Sequence, residues 1–183
     1  TWDLKEEEKL AKEVSKLRYK LTGKIYSIDT PPPYVNRPVH IGQAVTYCFM
    51  DFFARYKRMK GFSVLFHLGL DRNGLPIEMA AEKKFKVNPI EIGRDKFIEY
   101  CKKILEESSG ETVDTFAKLG ISFSSFKFGE KIGEGYMTDS NLYRTITQST
   151  FYDLYKKDLI YEDKKVVNYC PGCKTTLADA EIE

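Results

Sequence analysis

Apolar positions recur along this chain with two different periods. Between residues 45 and 59 they fall at Val45, Cys48, Phe49, Phe52, Phe53, Tyr56 and Met59. That is the i, i+3, i+4, i+7 spacing of a helix with one apolar face. Arg55, Lys57, Arg58 and Lys60 sit in its last turns, where cations complement the helix dipole, and Gly61 suits a C-terminal cap. On either side lie short β-rich runs. "KIYSID" predicts a short buried strand, through Ile25, Tyr26 and Ile28, and "FSVLFHL" predicts a second. Strand, loop, helix, strand is a βαβ unit, with parallel strands and a right-handed crossover. From about Leu4 to about Lys20 the pattern is helical and heavily charged, a surface helix leading into the fold.

Later in the chain the punctuation sets the elements. "GLDRNGLPIEMAAEKKF" is a loop entering a helix, with Pro76 near its first turn. "NPIE" at 88–91 is a second start signal, with Asn88 as N-cap, Pro89 at N1 and Glu91 completing a capping box. Helix dominates from about Arg94 to about Leu119, with a break predicted at Ser108-Ser109-Gly110. "ISFSSFKFG" alternates aromatic with polar residues and reads as extended. "TDS" starts another helix, with Tyr143, Ile146, Thr147, Thr150, Phe151, Leu154 and Tyr155 on one face. The C-terminal stretch "LIYEDKKVVNYCPGCKTTLADAEIE" reads as two short strands, a two-cysteine turn and an extended tail.

Composition changes this picture little. The 183 residues suit one domain with a small appendage, and 42% hydrophobic with 31% charged is ordinary for a globular chain. A net charge of +2 gives no long-range field for nucleic acid, although a local patch stays compatible with it. No run is apolar enough to span a membrane, and "TWDLKEEEKLAKE" is too charged for a signal peptide, so a soluble, cytoplasmic protein is expected. There is no internal repeat and no low-complexity linker. Among Cys48, Cys101, Cys170 and Cys173, only the last two are closely spaced.

Candidate chemistry gathers in "DTPPPYVNRPVHIGQAVTY". Pro31, Pro32 and Pro33 form a stiff, extended element, since proline fixes φ and removes a donor. The loop from Thr30 to Val39 leaves a strand and enters a helix, so it lies on the rim where open α/β sheets bind ligands. Free N–H groups at the helix start attract anions. His40 adds an imidazole, Gly42 lets a ligand approach the backbone, and Gln43 adds a neutral amide. Together they suit an ATP phosphate chain. A lone His-x-Gly would be read more simply as a helix-start histidine beside a packing gap.

The stretch "PPYVNRPVHIGQ" resembles the first signature of the class I aminoacyl-tRNA synthetases, in the group for valine, isoleucine and leucine. "LGLDRNGLPIE" resembles their second, and "VVNYCPGCKTTLADAEIE" the segment before their editing insertion. The three occur in family order and cover nearly all of the chain after Lys24, most like archaeal-type valyl members. The resemblance implies an α/β fold: a Rossmann-like parallel sheet half-domain with a βαβ unit, extra helices and a small C-terminal two-cysteine knuckle. By the same resemblance, residues 1–24 are a helical lead-in and 25–159 the first half of the catalytic domain. Residues 160–183 lead toward the insertion. The implied activity is ligation of valine to tRNA through an aminoacyl-adenylate, with isoleucine as the alternative amino acid. ATP with Mg2+, the amino acid and tRNA are the implied partners of a monomer.

The resemblance also assigns residues. His40, Gly42, Gln43 and Thr30 would contact ATP, and His40 and Gln43 would act in catalysis. Pro33, Tyr34 and Asn36 would line the amino-acid pocket, with Pro33 a rigid apolar wall. Asp71 would hold the α-ammonium group. Gln43 stands where the family usually has a second histidine, and unlike it can never carry charge. Taken alone, Asp71 reads first as an Asp turn or cap before "NG" and only second as a ligand contact, and Asn73 as turn geometry first and ligand contact second. Glu78 reads as a first-turn acid and His67 as a satisfied core or rim histidine.

Cys170-Pro-Gly-Cys173 is a tight turn with two thiols, half of a tetrahedral zinc set, so zinc is a further candidate. Cys48 and Cys101 belong to apolar helix faces and read as small hydrophobes. "GEKIGEG" lacks the Gly-x-Gly-x-x-Gly spacing and is a plain loop. The family's Lys-Met-Ser-Lys-Ser loop is absent, so an excised fragment or a truncated paralogue is expected, weak or inactive alone. A non-catalytic binding module and a small zinc or redox protein are the rival readings.

Overall fold

The computed structural model describes residues 3–16, 23–172, 174–179 and 182. Residues 1–145 and 146–183 form two compact units. The charged N-terminal pattern gives α1 (Leu4–Lys16); the rest of that expected helix, 17–20, lies outside the described residues. β1 (Ile25–Ile28), α2 (Ile41–Met59) and β2 (Ser63–Phe66) then form the expected βαβ unit. β1 and β2 pair in parallel, Ile25 opposite Ser63 through Ile28 opposite Phe66. β1 is not the buried strand expected from its composition. Its residues alternate between exposed and half-buried, because β2 is its one strand partner among the described residues.

Helix α2 ends as the sequence predicts. Gly61 takes φ 80°, which favours glycine. Its N–H reaches Arg58 O at 2.9 Å, and Phe62 N reaches Lys57 O at 3.1 Å, a Schellman closure.

The face of α2 that turns inward is another matter. Val45, Phe49, Phe52, Phe53, Tyr56 and Met59 are all exposed, so the apolar stripe is not the buried face. The buried residues are Tyr47, Asp51 and Ala54. Polar geometry explains the choice. Asp51 Oδ1 accepts from Ser122 N at 2.8 Å, and its Oδ2 accepts from Arg55 Nε at 2.6 Å. Arg58 Nη2 donates to Ser122 O at 2.7 Å, and Arg55 Nη2 to Gly120 O at 2.6 Å. These bonds satisfy the backbone of the turn after α5 and draw the Asp51 side of the helix against it.

β3 (Gly69–Leu70) leads through Asp71 to α3 (Leu75–Phe85), with Pro76 in its first turn as expected. α4 (Pro89–Ile92) is a single turn capped by Asn88, whose side chain accepts from Ile90 N at 2.9 Å; the reciprocal bond expected from Glu91 is not formed. α5 (Arg94–Lys118) runs for 25 residues without the break predicted at Ser108-Ser109-Gly110. Packing overrides the weak local propensity there: Ile104, Leu105, Thr112, Phe116 and Ala117 are buried on both sides, and Ser109 itself is buried.

The main core joins Val64, Phe66, Leu68 and Leu70 to Tyr47, Phe116, Ile121 and Phe123. Phe66 and Phe123 lie 4.7 Å apart between ring centroids, and Tyr47 and Phe116 4.6 Å. A smaller cluster of Ala81, Phe97 and Ile104 fixes α3 on α5. The "ISFSSFKFG" stretch runs as irregular extended chain, with Ser124 N donating to Phe66 O at 2.8 Å. β4 (Tyr136–Met137) pairs in parallel with β3. The parallel β is thus present as two short two-stranded sheets. α6 (Asn141–Lys156) starts where "TDS" predicts and buries none of its residues. In the second unit β5 (Asn168–Cys170) and β6 (Thr175–Leu177) form an antiparallel hairpin, with Cys170 the last residue of β5, opposite Thr175.

Candidate active site

Two loops meet at the rim. Pro33 O accepts from Asp71 N at 2.9 Å, and Val35 N donates to Asp71 O at 3.3 Å, so Tyr34 and Asp71 form a parallel bridge. The stiff proline segment is therefore stitched to the end of β3. Pro33 is buried, Asn36 half-buried and Tyr34 exposed at its side. Below them Tyr47 donates its hydroxyl to Pro31 O at 2.6 Å. The buried Thr30 hydrogen-bonds the same phenol, whose pKa burial pushes well above the usual tyrosine range.

Asp71 is held from a second side by a residue that sequence reasoning missed. Thr138 Oγ1 lies 3.1 Å from Asp71 Oδ1, 2.9 Å from Arg72 N and 2.9 Å from Asn73 Nδ2. The latter two are donors, so the hydroxyl proton of Thr138 goes to the carboxylate. Asn73 N also reaches Asp71 Oδ1 at 3.3 Å, which realises the turn expected before "NG". Arg72, buried and equally unforeseen, anchors the group. It bonds Glu106 Oε1 at 2.7 Å, Asp139 Oδ1 at 3.1 Å and Ser109 Oγ at 3.2 Å. A local signal was available only in part: "TDS" marked a helix start, and nothing marked Thr138 as a partner 67 positions from Asp71.

Gly69 completes this corner. A Cβ built there would stand 2.6 Å from the Tyr136 hydroxyl and 2.9 Å from Pro32 Cβ, so only glycine lets these two close over β3. Tyr136 stacks on Tyr143 at 5.7 Å, and burial, then Tyr143, Asp29 and Asp71, push its phenol pKa up.

At the start of α2, His40 is the N-cap. Its Nδ1 accepts from Gln43 N at 3.4 Å, and Gln43 Oε1 accepts from His40 N at 3.3 Å. A Cβ at Gly42 would come within 3.1 Å of His40 Cε1 and Nδ1, so this glycine makes room for the imidazole. His40, Gly42 and Gln43 are thus one group, and Pro33, Tyr34, Asp71 and Asn73 another. His67 is satisfied by Glu134 O at 2.9 Å, as a structural histidine should be.

A sequence model of the tRNA synthetases class I (I, L, M and V) matches residues 2–183. The chain belongs to these class I synthetases. It is 44% identical over 189 residues to a valine–tRNA ligase of Pyrobaculum aerophilum, with 100% of this chain and 22% of the relative covered. It is 41% identical over 194 residues to one of Aeropyrum pernix, covering 100% and 23%. Among solved structures it resembles the ternary LeuRS–tRNA–LeuAMS complex of Agrobacterium radiobacter K84 agnB2. There the TM-score is 0.72 at 25% identity, over 100% of this chain and 21% of that one. The synthetase chain described here therefore spans less than a quarter of the length of the curated relatives it matches.

The described cysteines of this synthetase chain fit a metal poorly. Cys173 lies outside the described residues. Among the described residues no group of three or more His, Cys, Asp and Glu could hold a metal ion. Burial pushes the pKa of the Cys48 and Cys101 thiols up, which favours the protonated form over the thiolate a metal needs. Two thiols would be only half of a tetrahedral set, and no chemistry is assigned to zinc. Among the described residues no helix is long and apolar enough to cross a membrane.

Proposed function

We propose that this chain carries part of the catalytic site of a valine–tRNA ligase. Such an enzyme activates valine with ATP to valyl-adenylate and transfers it to tRNA. In the first step a carboxylate oxygen of valine attacks the α-phosphorus of ATP, and the bond to pyrophosphate breaks. The observation that carries this reading is the stitch between Pro33–Val35 and Asp71, which sets an apolar wall beside an oriented carboxylate. A small apolar amino acid needs both: a wall that is already rigid, which limits the entropy lost on binding, and an anion for its ammonium group.

Asp71 holds the α-ammonium, with Asn73 beside it. Pro33, Tyr34 and Asn36 line the side-chain pocket. His40, Gly42 and Gln43 face the ATP phosphates, and Thr30 contacts ATP from the rim, where it hydrogen-bonds Tyr47. Acceleration comes from positioning and from neutralising phosphate charge, with Mg2+ accompanying ATP. The α/β framework is read as half of a Rossmann-like domain in a cytoplasmic, monomeric enzyme. The relatives named valine–tRNA ligase favour valine over isoleucine, since one methylene separates the two by only about 1–3 kcal/mol and a pocket wall alone cannot decide.

The test is ATP–pyrophosphate exchange. Exchange that depends on valine and falls about a hundredfold or more in Asp71→Ala supports the reading. Exchange that prefers isoleucine reassigns the substrate, and exchange indifferent to Asp71→Ala refutes the pocket.

A further inference from the structure

Three successive prolines offer no backbone N–H, and an extended proline segment has no internal hydrogen bonds, so contacts from elsewhere must fix its position. Pro31 and Pro33 are fixed through their carbonyls. Pro31 O accepts from the Tyr47 hydroxyl at 2.6 Å, and Pro33 O accepts from Asp71 N at 2.9 Å. Pro32, between them, has no hydrogen bond among the described residues. What it meets is a ring. A Cβ at Gly69 would stand 2.9 Å from Pro32 Cβ, 2.5 Å from Tyr136 Cζ and 2.6 Å from the Tyr136 hydroxyl. Ring tip and proline therefore converge on the same bare stretch of β3. The ring is itself held in place. Tyr136 N donates to Leu68 O at 3.0 Å, and the ring lies parallel to that of Tyr143, with 2° between planes and 5.7 Å between centroids.

We infer that Tyr136 is a positioning residue for the amino-acid pocket: wedged over Gly69, its ring backs Pro32 and sets how far the proline wall stands from Asp71. The inference rests on the reading of this wall as the side-chain pocket and deepens it. Tyr136 becomes a determinant of the choice between aliphatic amino acids that differ by one methylene. That choice is worth only about 1–3 kcal/mol in a well-fitted pocket, so a wall that yields slightly forfeits much of it. The ring carries the role rather than the hydroxyl, because its partner at Pro32 is a carbon atom. The two carbonyl bonds tie the ends of the wall, and the ring stops its middle from giving way.

Three variants test this, Tyr136→Leu, Tyr136→Phe and Gly69→Ala, each read by ATP–pyrophosphate exchange and by amide hydrogen exchange. In Tyr136→Leu the KM for valine should rise about tenfold while that for ATP stays, and the preference for valine over isoleucine should fall about tenfold. Tyr136→Phe keeps the ring and should restore both. Gly69→Ala keeps Tyr136 but drives it from Pro32, so it should reproduce the leucine variant. An unchanged preference in Tyr136→Leu would overturn the inference. So would an equal rise in both KM values, the mark of general damage, or a phenylalanine variant as impaired as the leucine one. Amide hydrogen exchange reads the wall without any substrate. In Tyr136→Leu the amides of Asp71 and Val35, which bond across the stitch, should exchange about tenfold faster, while those that pair β1 with β2 keep the parent rates. Parent-like rates at Asp71 and Val35 would refute the positioning role outright. A parent protein without valine-dependent ATP–pyrophosphate exchange would sink the reading of the pocket, and the amide rates would still decide whether Tyr136 holds the wall.

Discussion

The two halves of the candidate site are built by opposite means. The Asp71 corner is a buried network: Arg72 and Thr138 are each 7% exposed, and their polar contacts run from 2.7 to 3.2 Å. The His40 corner is a surface cap with two longer bonds, at 3.3 and 3.4 Å, on an exposed helix start. In a low-dielectric interior every unmet donor is costly, so the first corner ties site geometry to fold stability. At the surface water replaces a lost bond, so the second corner can be altered without endangering the fold. On the proposed reading, one substrate group would be held by scaffold and the other by a replaceable cap.

The largest effect that would break this contrast lies at Arg72. Arg72→Met removes the buried bonds to Glu106, Asp139 and Ser109 and should cost about 3 kcal/mol, read as a lower urea midpoint. Glu106→Gln, at a side chain 74% exposed, should cost less than about 1 kcal/mol. Equal costs for the two would mean that burial does not set the hierarchy. Thr138→Val comes next. It strips the acceptor from Arg72 N and Asn73 Nδ2 and the donor from Asp71, for about 1–3 kcal/mol. Thr138→Ser should restore most of it. In exchange assays the valine variant should raise KM for the amino acid more than for ATP, a split that general loss of packing would not produce.

The same contrast governs what could be read from sequence. The rim was legible because its signals are local: three prolines, a helix start at His40, a turn before "NG". The parallel pairing of β1 with β2 followed from the strand, helix, strand order. The orientation of α2 was not legible, because Ser122 decides it from 71 residues beyond Asp51. Hydrophobic period alone named the wrong face, since the buried Asp51–Ser122 pair, with Arg55 and Arg58 closing over it, outweighed six apolar side chains. The unbroken α5 was hidden for a related reason: Arg72 and the core hold Ser109 in place, and a serine pair beside glycine looks like a break when its partners are out of view. Thr138 was marked only as part of the "TDS" helix start and not as a partner of Asp71, as its three side-chain bonds all reach residues more than sixty positions away.

A smaller effect is expected beneath the rim. Tyr47→Phe loses the bond to Pro31 O and should cost about 1 kcal/mol near neutral pH. Its pH dependence is more telling. Burial raises the folded-state pKa above the ordinary value near 10, so the folded protein holds the phenol proton longer than the unfolded chain. The associated stability is fully present below about pH 10 and is lost as pH rises toward the folded value. Unfolding midpoints of the parent should therefore fall above about pH 10, more steeply than those of Tyr47→Phe. Parallel slopes would show that this phenol ionises without cost to the fold, and so that it is not sealed under the prolines.

The smallest stability change belongs to His40→Ala, and it draws the contrast most sharply. Both bonds of the cap are long and the residue is exposed, so the loss should stay below about 1 kcal/mol, at the weak end for an N-cap. Activity should respond on another scale. Removing one donor aimed at developing phosphate charge typically costs about a hundredfold or more in rate. The variant should therefore unfold almost with the parent in urea while valine-dependent exchange collapses. A variant that lost stability in proportion to activity would place His40 with Thr138, as a part of the scaffold, and the division of the site into scaffold and cap would fall.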